Sequence, residues 1–263
     1  MELKLSPNGR RYGTRKDPPD HRDFGLSAFS LSATIPPVTD LETFCGPVKD
    51  QGALGSCTAF AGCGMRELLY RRLTQFEKTK VDPAPVFSPM FLYYIERELD
   101  GSINDGDTGS TGRTCCKALN QFGVCTEADD KYDAANFENA PTVDQLNEAL
   151  LFKGGAYHRI GTVMDMRNCL AEGYGFIIGF TVYDSFESMT APFVYNPDKA
   201  NEQILGGHET LVIGYDDGKS AFKVRNSWGP DFGESGNFWL PYPVAADSDI
   251  LMDAWMEHLS KAW

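Results

Sequence analysis

The sequence predicts an α+β fold in two halves, and three observations carry that expectation. Between Ser56 and Gly123, apolar residues recur at helical spacing behind good capping residues. From Gly175 onward, β-branched and aromatic runs alternate with Gly, Asp and Lys turns. Helices first and strands after is the pattern of a protein whose halves pack as lobes. A chain of 263 residues, 42% hydrophobic and 23% charged, has ordinary globular composition and buries one large domain or two lobes. It contains no internal repeat.

Taken in order, residues 1–34 are rich in Pro, Arg and Asp, lack a long apolar period, and read as an extended arm. Ser56 is expected to cap a helix over CTAFAGCGMRELLYRRL, with Phe60, Met65, Leu68 and Leu69 on its buried face. SPMFLYYIEREL gives a second helix, with Ser88 as cap and Pro89 at the first helical position. The turn-dense DGSINDGDTGSTG follows, then a helix over TCCKALNQF ended by Gly123. TVDQLNEALLF carries a Thr-x-x-Gln capping box, and Asp165 is placed as the cap of DMRNCLAE. GFIIGFTVY, HETLVIGYDD, AFKVRNSW and GNFWLPY are the expected strands.

The formal net charge of -13 disfavours nucleic acid and anionic membrane, leaving peptides and small molecules as partners. No stretch reaches the roughly 18 apolar residues of a membrane span. The opening MELKLSPNGRR lacks the apolar stretch of a secretory leader, which fits cytoplasmic residence or a secreted chain already trimmed. Seven cysteines leave at least one unpaired in an oxidising compartment, and no C-x-x-C pair supports a zinc ribbon or a thioredoxin-like site. The Asp/Asn-rich loop before Gly112 lacks the spaced ligands of an EF-hand, so no metal and no cofactor is expected.

In QGALGSCTAF, Cys57 stands at a predicted helix start, behind Gly52 and Gly55. A helix N-terminus lends partial positive charge, which favours the thiolate over the thiol. On its own this is more often packing than chemistry. Two further segments change the weighing. In GGHETLVIGYDD, His208 opens a strand and is expected to expose its imidazole. In VRNSWGPDFGESG, Asn226 ends the next strand, with Trp228 close behind. Pairing of those strands through YDDGKSAF sets His208 and Asn226 at one end of a hairpin, where the amide orients the imidazole and Trp228 shields their hydrogen bond.

PVKDQGALGSCTAF, GGHETLVIGYDD and VRNSWGPDFGESGNFWLP together resemble the three signature segments of the papain-like cysteine peptidases, in that family's order. His208 lies 151 and Asn226 169 residues after Cys57, slightly beyond the family's usual spacing. The resemblance covers about residues 35–242. It implies a papain-like fold: a helical lobe at about 45–140, an antiparallel β-barrel-like lobe at about 141–263, and the active-site cleft between them. Residues 35–263 form the peptidase domain, and residues 1–34 a propeptide-like arm. The resemblance further implies peptide hydrolysis through an acyl-enzyme, with Cys57 as nucleophile, His208 as general acid/base, Asn226 as its orienting partner and Gln51 completing the oxyanion hole. Alternatives are an acyl transferase of transglutaminase type and a non-catalytic papain-like binding module.

The same resemblance assigns Gly109 and Ser110, in the 107–112 loop, to backbone contact with an extended substrate. Thr181, Gly207 and Glu209 would line the subsite for the second residue on the acyl side, with Trp228 nearby. Glu209 stands where the family commonly has alanine and is expected to favour Lys or Arg there. Thr58 replaces the usual aromatic after the nucleophile. The positions of a common disulfide hold Leu54 and Asp107, so that bridge cannot form, and apolar packing by Leu54 is the expected compensation. The arm, through Arg10, Arg11 and Arg15, is expected to lie on the acidic body and partly occlude the cleft.

Overall fold

The β-branched runs after Gly175 pair into one antiparallel sheet, and the capped helices before them pack against it. The computed structural model describes residues 3–25, 35–77 and 84–259. Among the described residues seven strands are formed: β1 (Val38–Asp40), β2 (Gly154–Arg159), β3 (Phe176–Tyr183), β4 (Ile204–Asp216), β5 (Ala221–Arg225), β6 (Asn237–Pro241) and β7 (Leu251–Leu259). Their order is β2-β7-β3-β4-β5-β6, with β1 added on β4. The sheet does not close, since β2 and β6 remain as edges; the barrel-like lobe expected from the sequence is an open, strongly paired sheet. The four expected strands are β3 to β6. Strands β1, β2 and β7 were not expected.

The helical half comprises α1 (Cys57–Glu77), α2 (Pro89–Leu99) and α3 (Gly112–Gln121). Ser88 caps α2 by accepting from the Phe91 N–H, with Pro89 at the first position as expected. Helix α3 starts ahead of the expected Thr114, because Thr111 caps it by accepting the Thr114 N–H. Helix α4 (Val143–Leu151) carries the expected capping box, Thr142 and Gln145 satisfying each other's backbone N–H. In α5 (Val163–Ala171) the cap is Thr162 rather than Asp165, since the Thr162 hydroxyl accepts the Asp165 N–H. A short α6 (Tyr242–Ala245) follows β6. Ser56 does not cap α1 with its side chain; its hydroxyl pairs with the Tyr132 hydroxyl at 2.9 Å.

Helix α1 lies against β4 and β3, and β3 is buried along its whole length. Arg66 on α1 reaches Glu257 on β7 at 3.0 Å, both fully buried, which ties the helical half to the far side of the sheet. This packing brings the first turn of α1 against the start of the β4–β5 hairpin. Among the described residues no helix is long and apolar enough to cross a membrane.

Candidate active site

Cys57 is the first residue of α1, fully buried in the structure. The loop ahead of it is fixed by polar groups. The Gly55 N–H donates to both carboxylate oxygens of Asp107, at 3.1 and 2.9 Å. The Tyr93 hydroxyl donates to Asp107 at 2.5 Å and accepts the Gly109 N–H at 3.0 Å. Leu54 is buried in the core as expected, but Asp107 is not an idle substitute: it hydrogen-bonds the loop before Cys57 to the 107–112 loop. Gln51 is held by the Ser227 hydroxyl on its Oε1 at 2.6 Å, and its Nε2 donates to the Leu54 carbonyl at 2.9 Å. An amide nitrogen carries two hydrogens, so one N–H of Gln51 remains for another acceptor.

On the opposite wall, His208 Nε2 and Asn226 Oδ1 lie 2.7 Å apart. The register that pairs Leu211 with Arg225 brings the residue just past β5 alongside the start of β4. Asn226 Oδ1 also accepts the Ser227 N–H at 2.8 Å, which fixes the amide's orientation. Trp228 lies over the imidazole, ring centroids 5.2 Å apart and planes tilted by 35°. Phe180 and Phe186 close its other sides.

His208 is not exposed, contrary to expectation: its accessibility is 0%. Phe180, Phe186 and Trp228 enclose it from the body, and the arm packs against it as well. Tyr12 meets the imidazole edge-on at 6.0 Å and donates its hydroxyl to Glu187 at 2.6 Å. Burial pulls the His208 imidazole down to about 4, so it is neutral near pH 7. Burial likewise pushes the Cys57 thiol up to about 11, against the opposing effects of the Thr14 hydroxyl and the Glu209 backbone N–H. Position 57 in this arrangement therefore holds a thiol near pH 7, although it opens a helix. Thr14 Oγ1 sits 3.1 Å from Cys57 Sγ, and His208 Nδ1 makes no hydrogen bond.

The arm runs through the cleft as an extended strand. Its Thr14 N–H donates to the Gly207 carbonyl at 3.0 Å and its Arg15 N–H to the Ser110 carbonyl at 3.1 Å. A Cβ on Gly207 would meet the Thr14 carbonyl oxygen at 2.0 Å, and one on Gly109 would meet that of Gly13 at 2.1 Å. Only glycine admits a backbone so close. Arg10 pairs with Asp50 at 2.6 Å and lies over Trp228, Arg11 pairs with Asp107 at 3.2 Å, and Arg15 with Asp100 at 2.8 Å.

The family description "Papain family cysteine protease" matches residues 35–256. The chain belongs to the papain family of cysteine proteases. It is 32% identical over 282 residues to an uncharacterized peptidase C1-like protein of Acanthamoeba polyphaga mimivirus, covering 97% of this chain and 88% of that one. Its fold matches xylellain, a cysteine protease from Xylella fastidiosa, at a TM-score of 0.87 and 30% identity, over 99% of this chain and 100% of the other. Digestive procathepsin L2 of Tenebrio molitor larval midgut shares the fold at a TM-score of 0.75 and 20% identity, over 97% and 81%. Against cysteine proteinase 3 of Dictyostelium discoideum, identity is 27% over 203 residues, which span 72% of this chain but 53% of that protein.

The other candidate residues of this papain-family chain divide into those facing the arm and those turned away. Gly109, Ser110, Gly207 and Trp228 contact it. The Thr181 hydroxyl is taken up by the Asp249 carbonyl at 3.1 Å. Glu209 is buried, and both its oxygens lack a hydrogen-bond partner. Burial, and after it Asp17 and Asp253, pushes its carboxyl well above the usual range. Thr58 donates to the buried Glu96 at 2.5 Å, which gives its hydroxyl a partner in the core. Sequence reasoning missed Tyr12, Thr14, Asp17, Tyr93 and Tyr132. The one available signal was the glycine in RRYGT, a residue suited to close backbone approach.

Proposed function

We propose that the chain is an endopeptidase held closed by its own arm, with Cys57 as nucleophile, His208 as general acid/base, Asn226 as the orienting residue, and Gln51 with the Cys57 N–H as oxyanion donors. The observation that carries this reading is the His208–Asn226 bond of 2.7 Å under Trp228, with Cys57 at the adjoining helix start beneath the same arm. Once the arm leaves, water returns to both groups. The thiol can then pass its proton to the free His208 Nδ1, giving a thiolate–imidazolium pair.

The thiolate attacks the scissile carbonyl and the carbonyl oxygen takes up the negative charge. Uncharged N–H donors stabilise that oxygen, and removing one such donor typically costs on the order of 100-fold in rate. The imidazolium protonates the departing amine as the C–N bond breaks, leaving a thioester on Cys57. His208 then removes a proton from water, which attacks the thioester and releases the acid. Gly109, Ser110, Gly207 and Trp228 would line the path of the substrate, with Thr181 and Glu209 behind it. Endo-cleavage is favoured because the arm passes Cys57 without interruption, from Arg10 at Trp228 to Asp17 beyond Ser110, so the cleft accepts the interior of a chain.

A thiol-directed epoxide tests the reading. It should label Cys57 slowly in the intact chain and faster in a full-length chain with Arg10→Ala and Tyr12→Ala, and peptide hydrolysis should rise in parallel. Labelling without any hydrolysis would remove the peptidase and leave a reactive thiol.

A further inference from the structure

Beyond Thr14 the arm carries a carboxylate into a pocket that catalysis does not use. Asp17 is buried, its side chain 1% exposed. Its Oδ2 accepts the Trp255 indole N–H at 2.9 Å and the Arg113 backbone N–H at 3.1 Å. Its Oδ1 lies 3.7 Å from an Arg113 guanidinium nitrogen. That guanidinium also grips Asp23 with two nitrogens, at 2.9 and 2.7 Å, and donates to the Pro18 carbonyl at 2.8 Å. Arg159 stands 3.6 Å from Asp23, and both guanidiniums lie over the Trp255 ring, at 5.4 and 5.9 Å.

The walls of this pocket come from three elements of the peptidase body: Arg113 from α3, Arg159 from β2 and Trp255 from β7. The carboxylates on Arg113, Asp17 and Asp23, both come from the arm. Arg159 keeps a body partner, Asp253. When the arm leaves, Arg113 therefore loses both counter-charges, and the Trp255 indole and Arg113 backbone N–H groups lose their acceptor. Half-buried donors left unpaired favour any ligand that supplies a carboxylate, and they reject an isostere that lacks the charge.

The pocket also lies within reach of the chemistry. Thr14 is at Cys57 and Arg15 pairs with Ser110, so Asp17 sits three residues on, about 10 Å along an extended chain. Glu209 borders the same place, since a Cβ on Gly112 would be 3.0 Å from its Oε1 and 2.9 Å from Trp255. Its two oxygens have no hydrogen-bond partner and face Trp255, so it forms a polar wall beside the guanidiniums. A Lys or Arg side chain directed at it, the preference expected from the sequence, would meet the guanidiniums of Arg113 and Arg159.

We propose that Arg113, Trp255 and Arg159 form a carboxylate subsite at one end of the cleft, which selects peptides with an acidic side chain a few residues from the scissile bond. It rests on the peptidase reading for its place in catalysis, but its ligand chemistry can be tested without turnover. The protein for the test is the full chain with Arg10→Ala, Tyr12→Ala, Asp17→Asn and Asp23→Asn, which loosens the arm and empties the pocket. With Cys57→Ala added, calorimetry measures binding of a synthetic copy of residues 10–19 bearing Asp, Asn or Arg at the seventeenth position. The Asp peptide should bind about 10-fold tighter than the Asn peptide, and Arg113→Gln should erase that advantage.

With Cys57 restored, hydrolysis of peptides varied at the four positions before the scissile bond should favour Asp or Glu over Asn or Gln at one of them. Equal binding of the Asp and Asn peptides overturns the subsite. So does binding of none of them when a small thiol reagent reaches Cys57 freely in the same loosened chain. A preference for Arg overturns it too and returns selection to Glu209. Tight Asp-dependent binding with no hydrolysis keeps the subsite and sinks the peptidase.

Discussion

The wall that carries Cys57 and the wall that carries His208 hold these side chains by different physics. Around the segment leading to Cys57, Asp107, Tyr93, Ser227 and Tyr132 form a chain of hydrogen bonds between 2.5 and 3.1 Å. Around His208, a single polar bond to Asn226 is set among Phe180, Phe186 and Trp228, with Phe238 packed behind. Hydrogen bonds are directional and leave a buried orphan when one partner goes. Aromatic packing is tolerant of small shifts and scales with the volume filled. The helical wall should thus fail by chemistry, and the sheet wall by lost volume.

The largest effects lie at the groups the two walls exist to hold. In the chain with the loosened arm, Cys57→Ala and His208→Ala should each lower the rate of peptide hydrolysis by on the order of 10⁵-fold, and the double variant should lose little more. Additive losses would mean that the walls act separately.

Next come substitutions in the walls themselves, read by denaturant unfolding. Phe186→Ala should cost about 3–5 kcal/mol, and Phe186→Leu should recover much of it. Asp107→Ala should cost about 2–3 kcal/mol for the abandoned Gly55 N–H and Tyr93 hydroxyl, and Asp107→Leu should recover none of it. Recovery by leucine at position 107 would erase the distinction.

A pH effect sharpens the contrast further. Burial pushes the Glu96 carboxyl, under Thr58, up to about 8 from an ordinary value of 4.5. The folded chain therefore holds a proton that the unfolded chain releases above about 4.5, and stability should fall as pH rises from there to about 8. Glu96→Gln should flatten that slope in unfolding measured across the range.

The smallest effect belongs to the arm. Tyr12→Phe removes only the bond to Glu187, worth about 0.5–1.5 kcal/mol, and should speed epoxide labelling of Cys57 by roughly 2- to 10-fold.

Local chemistry was legible in the sequence and long-range chemistry was not. Ser88 and the Thr142–Gln145 box name their own partners within one helical turn, so the helices they start were readable. His208 and Asn226 meet across a hairpin whose turn is written between them. Strands β2 and β7 pair across about a hundred residues, with β7 carrying Asp, Glu and His in its run, so no local pattern announced them. Tyr12 meets His208 and Thr14 meets Cys57 only in the folded cleft, so the burial of these two groups had no local signal. Asp107 was visible as a missing half of a cross-link, but its bonds to Gly55 and Tyr93 required coordinates.

Thr14 standing over a protonated sulfur has a consequence for how the chain survives before use. Peroxide attacks thiolates in contact with solvent, and this sulfur is neither ionised nor wetted. With the arm in place, Cys57 should stay a reduced thiol through an oxidant challenge that oxidises the same residue in the chain carrying Arg10→Ala and Tyr12→Ala.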